Sequence, residues 1–120
     1  MNHSLEGTWR PLYAELDGEE APVEVLQQTE VELTAGKYTV RFGGVAADHG
    51  SFELDPGGPP AQLTLRGVAG PNAGRTIPCI FKFIDGTLMI CYGLSGTRPA
   101  KFQTLPGGQL YLVTYSRTPV

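Results

Sequence analysis

Cys91 and Tyr92 stand side by side, and a thiol next to a phenol could serve nucleophilic or redox chemistry. Such a thiol has to be held as thiolate by an electropositive neighbour or a partner base. The histidines are His3 and His49, neither in a recognisable motif. Without a base, Cys91 reads better as a small buried apolar residue. The same scarcity of His and Cys leaves no C-x-x-C or H-x-x-x-H spacing for zinc or haem. The Asp and Glu residues fall mostly on outward strand positions or in turns, and no carboxylate dyad for acid–base work emerges. A cyclase or isomerase working by shape and a few polar groups would need a buried titratable group with a shifted pKa. Tyr92, Tyr38 and Cys79 are the nominees for it. No catalytic residue, metal site or cofactor is assigned.

Arg98-Pro99 with Lys101 is the better binding pattern. Two cations around a rigid proline, on the connection before the last strand-like run, could anchor a carboxylate or phosphate head group. The plainer alternative is that Arg98 holds backbone carbonyls or a nearby carboxylate and so fixes a long connection.

The elements that would position these groups are strands. At 120 residues the chain reads as one domain, residues 1–120, large enough for a core without staples. A charged fraction of 18% with 16 Gly and 10 Pro suits an all-β protein with many tight turns. The 9 basic residues are scattered and the net charge is −3, which argues against nucleic acid as a partner. No apolar run approaches the roughly 18 residues of a membrane span. The opening Met1-Asn2-His3-Ser4-Leu5-Glu6 has no basic region, apolar stretch or lipobox cysteine, so a soluble, cytoplasmic chain is the expectation.

Alternating apolar and polar residues mark eight strands, at about 7–16, 29–34, 37–42, 51–54, 62–66, 79–84, 87–92 and 109–117. In the first, Trp9 precedes Pro11 while Leu12, Ala14 and Leu16 follow it, a change of face that a β-bulge would produce. A two-residue Ala35-Gly36 turn sets Leu33 opposite Tyr38 and Val31 opposite Val40, so turn length and hydrophobic pattern agree. Asp85-Gly86 pairs Ile84 with Thr87, hence Cys79 with Tyr92 and Ile80 with Cys91. The thiols then point to opposite faces and stay free, unless a bulge at the turn brings them together. Residues 22–28 fit one or two helical turns or a further strand. The last strand is ambiguous in parity, with Leu110 and Leu112 competing against Tyr111, Val113 and Tyr115. Eight such strands joined in sequence predict an antiparallel up-and-down barrel, with a two-sheet sandwich as the alternative. The expected inward set includes Trp9, Tyr38, Phe42, Phe52, Phe81, Phe83, Leu88, Ile90 and Tyr92. Leu54 is expected inward as well. Ile80, Ile84 and Met89 form an apolar outward stripe beside Cys91, to be covered by 22–28 or by a second copy.

Several segments in order carry a resemblance. They are Leu5-Glu6-Gly7-Thr8-Trp9, Glu15-Leu16-Asp17-Gly18, Gly36-Lys37-Tyr38-Thr39-Val40, Gly50-Ser51-Phe52, the Gly70-Pro71…Gly74 turn, Thr87 to Tyr92, Arg98-Pro99-Ala100-Lys101-Phe102, and Arg117. With these the chain resembles an uncharacterised lipocalin-like domain family of calycin type, common in the bacterial planctomycetes. Cys79, Phe81 and Thr64 differ from that family, which tends to carry Gly, Tyr and Asp there. The resemblance implies a lipocalin-like barrel in which Gly7 and Trp9 on the first strand meet Arg117 on the last. The guanidinium would lie over the indole and seal one end, a contact of roughly 0.5–2 kcal/mol. The resemblance brings no reaction with it, and many of its members follow an export signal.

Three functions compete on this reading. The first is a barrel holding a small apolar or amphipathic molecule, with Tyr38, Phe81, Phe83 and Tyr92 around it and Arg98 or Lys101 at its polar head. The second is a solid barrel that acts as an interaction module or homodimer through its outer face. The third is the small cyclase or isomerase. An eight-stranded barrel is just filled by its side chains or holds one small ligand, and composition leaves both open.

Overall fold

Period-two alternation, broken by two-residue turns, gives nine strands and one short helix in the computed structural model, which describes residues 5–117. The strands are β1 (Gly7–Leu16), β2 (Glu19–Glu20), β3 (Thr29–Thr34), β4 (Lys37–Phe42), β5 (Val45–Asp55), β6 (Ala61–Ala69), β7 (Thr76–Ile84), β8 (Thr87–Gly93) and β9 (Leu110–Arg117). The helix α1 (Val23–Gln28) starts after Pro22 and buries Leu26. Every neighbouring pair from β3 to β9 is antiparallel, and β1 pairs with both β3 and β9. The result is a closed eight-stranded up-and-down barrel, with β2 as an extra hairpin strand on β1. Closure leaves the barrel no open edge, and it excludes the two-sheet sandwich. His3 and the rest of residues 1–4 lie outside the described residues. Among those described, no helix is long and apolar enough to cross a membrane.

The hairpin turns set the registers. Asp17-Gly18, Ala35-Gly36 and Asp85-Gly86 all have positive φ at both positions, the primed turn whose twist matches paired strands. Leu33 therefore faces Tyr38 and Val31 faces Val40. Cys79 faces Tyr92 and Ile80 faces Cys91, and both thiols are free. In β9 the odd set wins: Val113 and Tyr115 are buried and Tyr111 packs against the core.

Four inward expectations change, at irregularities or strand ends. The β1 ladder to β9 slips between Pro11 and Tyr13, so Leu12 is the extra residue and is exposed, while Ala14 is fully buried. Leu16 is also exposed, at the barrel rim. Phe42 is 44% exposed, because it lies at the end of β4 beyond a second register shift, where no facing wall remains. Leu54 is exposed for a similar reason, since β5 runs on past Ser51, where its pairing with β4 ends.

The buried part of the apolar outer stripe is covered by the chain's own last connection and not by α1. Ile80 and Cys91 are buried although they face outward. The connection from Leu94 to Gln109 folds across them: Cys91 Sγ lies 3.9 Å from the Gln103 carbonyl, and Lys82 Nζ sits 4.4 Å over the Phe102 ring. The ends of that connection are tied by a Leu94 N–H bond to the Gln109 carbonyl. Its middle is tied by Thr104, whose hydroxyl accepts from the Gly18 N–H at 2.8 Å. Ile84 alone of the stripe stays substantially exposed, at 39%.

One end of the barrel is sealed. Trp9 is 1% exposed, donates from Nε1 to the Leu5 carbonyl at 2.8 Å, and packs against Phe83. The Arg117 guanidinium lies 4.2 Å over the indole and donates to the Glu6 carbonyl. Gly7 makes this possible: its φ is +135°, and a Cβ there would stand 2.5 Å from Arg117 Nη1. Substituting Gly7→Ala should therefore cost about 1–3 kcal/mol in urea unfolding and red-shift Trp9 emission as the guanidinium is displaced. Unchanged stability and emission would show that the seal does not depend on Gly7.

Candidate functional site

The interior beyond the Trp9 plug is not filled. A cavity of about 290 Å³ lies toward the opposite end, walled by β3 to β9 and roofed by the Gly70–Gly74 turn. That is close to the lower end of the range for small-molecule sites, about 300–1,000 Å³. Its wall is mostly apolar, with Leu33, Leu65, Ile77 and Ile90 among the lining side chains. From β5 the small Ala47 lines it, and Gly50 lets the neighbouring backbone and the Tyr38 ring come close. Gly50 faces Tyr38 across β4 and β5, and a Cβ on it would meet Arg66 O at 2.0 Å and Tyr38 Cε2 at 2.8 Å. The Tyr38 ring lies against this bare stretch of backbone.

Asp48 shares the inward face of β5 with Gly50 and Phe52. It pairs with Val40, and the register then slips so that Ala46 pairs with Arg41 and Ala47 is the extra residue. The Asp48 side chain is 8% exposed and lines the cavity. Its Oδ2 accepts from Asn72 Nδ2 at 2.8 Å and, over a long 3.4 Å, from the Tyr38 hydroxyl. Its Oδ1 is buried and accepts no hydrogen bond from any described residue. An unsatisfied buried acceptor costs about 1–3 kcal/mol, more for a charged group. Such atoms are rare enough in native folds to call for an explanation.

Aromatic hydroxyls form the second polar feature. The Tyr92 and Tyr115 hydroxyls lie 2.6 Å apart, and the Tyr111 ring is 5.5 Å from that of Tyr92. Together with Tyr38, all four rings line the cavity. Burial pushes the Tyr38 phenol up to about 12, reinforced by the Asp48 charge. Burial also raises Tyr92, Tyr115 and Tyr111 above the ordinary phenol value. At neutral pH these phenols are protonated donors, not bases. A hydrogen-bonded pair of hydroxyls keeps one O–H beyond the shared bond, so the Tyr92–Tyr115 pair retains a donor. Burial raises the Cys79 thiol to about 12 and raises Cys91 as well, the reverse of what a nucleophilic thiol needs. No group of three His, Cys, Asp or Glu able to hold a metal occurs among the described residues.

The residues singled out in the sequence are placed in three groups. Tyr38 and Tyr92 line the cavity. Phe81 and Phe83 pack edge-to-face at 6.2 Å toward the sealed end and border an open outer groove with Phe102. Arg98 and Lys101 do not line the cavity. Arg98 donates to the Cys79 carbonyl at 2.7 Å, the Leu63 carbonyl at 3.2 Å and Thr64 Oγ1 at 3.0 Å, which pins the Leu94–Gln109 connection to β6 and β7. Lys101 is exposed on that connection. Gly7, Trp9 and Arg117 form the barrel seal.

Sequence reasoning missed Asp48 and Asn72, and it did not separate Tyr111 and Tyr115 from their neighbours on the last strand. The signal for Asp48 was present: alternation continued backwards from Phe52 through Gly50 puts position 48 on the inward face. Starting the strand at Ser51 concealed it.

Two outcomes follow from this geometry. Arg98→Ala should lower unfolding stability by about 2–3 kcal/mol, read by urea titration, because three bonds from a charged donor are lost at once. A change within error would show that the connection is held elsewhere. The raised phenols and thiol also fix a pH dependence. The unfolded chain releases these protons first, at ordinary values of 9.0 for Cys79 and 10.0 for Tyr38. Their stabilising contribution is therefore complete below about pH 9 and is lost as pH rises through about 12. Phenolate absorbance should accordingly rise mainly with unfolding, apart from Tyr13 on the outer surface. Full ionisation of all five tyrosines in the folded protein near pH 10 would contradict the placement.

Comparison of the chain with protein-family models, with curated proteins and with solved structures returned no match.

Proposed function

We propose that this chain is a lipocalin-like binding barrel that takes one small apolar or amphipathic molecule into its interior. The observation that carries the reading is the cavity of about 290 Å³, apolar over most of its wall, with a few polar groups among its lining. A barrel built only for stability would fill that space, because voids forfeit dispersion contacts and cost stability. A polar cluster is formed by Asp48, Tyr38 and Asn72, and it takes the role that the sequence suggested for Arg98 and Lys101. The outer stripe is buried at Ile80 and Cys91 under the chain's own connection, so an outer self-association face there would be confined to Ile84 and the half-buried Met89.

Native mass spectrometry of gently purified protein tests the reading. A small molecule should accompany the chain at one-to-one stoichiometry and be released on denaturation. Leu65→Trp, which drives an indole into the cavity, should abolish the adduct at a stability cost of about 1–3 kcal/mol. An adduct that persists in the folded Leu65→Trp protein would place binding outside the barrel.

A further inference from the structure

We propose that the ligand of this cavity is a primary amine on an apolar body, with its ammonium group bound by Asp48. The proposal rests on the binding-barrel reading and adds the chemical class of the ligand to it.

The argument starts from the polar inventory of the cavity. Asp48 is the one charged side chain in its lining among the described residues. Its Oδ2 is engaged by Asn72 and Tyr38, and its Oδ1 accepts from none of the described residues. The atom that lacks a partner is an acceptor, so the missing group is a donor. The acceptor carries negative charge, so a cationic donor gives the shorter and stronger charge-assisted bond. An incoming carboxylate or phosphate would instead face like charge in an apolar enclosure.

The surroundings agree. Tyr38, Tyr92, Tyr111 and Tyr115 line the same cavity, and aromatic rings attract a cation through their faces. Arg75 approaches this cluster only through Asn72, donating to Asn72 Oδ1 at 3.1 Å while its other nitrogen donates to the Leu94 carbonyl. Arg75 is not itself part of the cavity lining and does not satisfy Oδ1. A metal ion in place of the amine would need further ligands, and no such group of His, Cys, Asp or Glu exists among the described residues. Size sets the rest of the ligand. At about 30 Å³ per water-sized unit, 290 Å³ admits on the order of ten non-hydrogen atoms.

The test is isothermal titration of the full chain with octylamine, octanol and octanoate, which share a chain length and differ in head group. Octylamine should bind at least tenfold more tightly than either of the others, and Asp48→Asn should bring it to the level of octanol. Binding of octanol or octanoate as tight as the amine would overturn the amine assignment and leave the binding barrel standing. Binding of none of the three would overturn both. An amine preference that survives in folded Asp48→Asn would show that another group recognises the ammonium. Should Asp48→Asn fail to fold, the ranking on the unmodified chain still decides.

Discussion

The antiparallel ladder between β1 and β9 is the constraint on which the rest of this molecule depends. It joins the first long strand to the last, giving β9 its second neighbour and removing the open edge that the sheet would otherwise keep. Its register is fixed at one end by Trp9 against Arg117 and is adjusted in the middle by the Leu12 bulge. The bulge has a local cause in Pro11, which has no amide hydrogen to contribute to a regular ladder. By shifting face there, β1 keeps Trp9 inward at the sealed end and Ala14 inward farther along. A large ring at one end and a methyl group toward the other make the barrel solid below and open above.

The same asymmetry runs through the neighbouring strands. Toward the seal, Phe81, Phe83, Leu88 and Trp9 fill the bore. Toward the other end, β5 contributes Gly50 and Ala47, and the bulk comes from tyrosines standing against the wall. Phenylalanine at those positions would pack as well, so the hydroxyls call for their own explanation. Each phenol in this apolar setting is held protonated and able to donate, and the Tyr92–Tyr115 pair satisfies one of its two protons internally. Such an interior is polar only at chosen points, which is how a pocket orients a ligand without losing its apolar character.

How much of this the sequence disclosed follows from how local each signal is. Registers governed by two-residue turns were legible, since turn length and alternation each determine the pairing independently. The free thiols followed from the same arithmetic. The fates of Leu12, Phe42 and Leu54 were not legible, because each depends on where a partner strand stops or slips, a property of the neighbour rather than of the residue. Cys91 and Ile80 were read correctly as apolar but given the wrong cover. Arg98 was read either as an anchor for a head group or as a clamp on backbone carbonyls, and the clamp is what the fold contains. Only the fold brings Leu63, Thr64 and Cys79, distant in sequence, beneath its guanidinium. Asp48 was hidden for a different reason: Asp-His-Gly resembles a turn, and turn-like residues discourage extending a strand through them.

Asp48 is also where local and global preferences conflict. A carboxylate on an inward strand position of an apolar barrel runs against the patterning that makes the rest of the chain legible. The fold tolerates it by aligning Asn72 from the Gly70–Gly74 turn and Tyr38 from β4 on one oxygen, leaving the other buried without a partner among the described residues. Gly70 contributes by its bareness, for a Cβ there would lie 2.9 Å from Asp48 Oδ1 and 2.4 Å from the Ala47 carbonyl. An Asn at position 48 could still accept from Asn72 and Tyr38 while removing the buried charge. Positions that break the pattern at a known cost, inside a space the remaining side chains have been shaped to leave, are where a binding function is most economically read. In this molecule that cost and that space meet at one residue, Asp48.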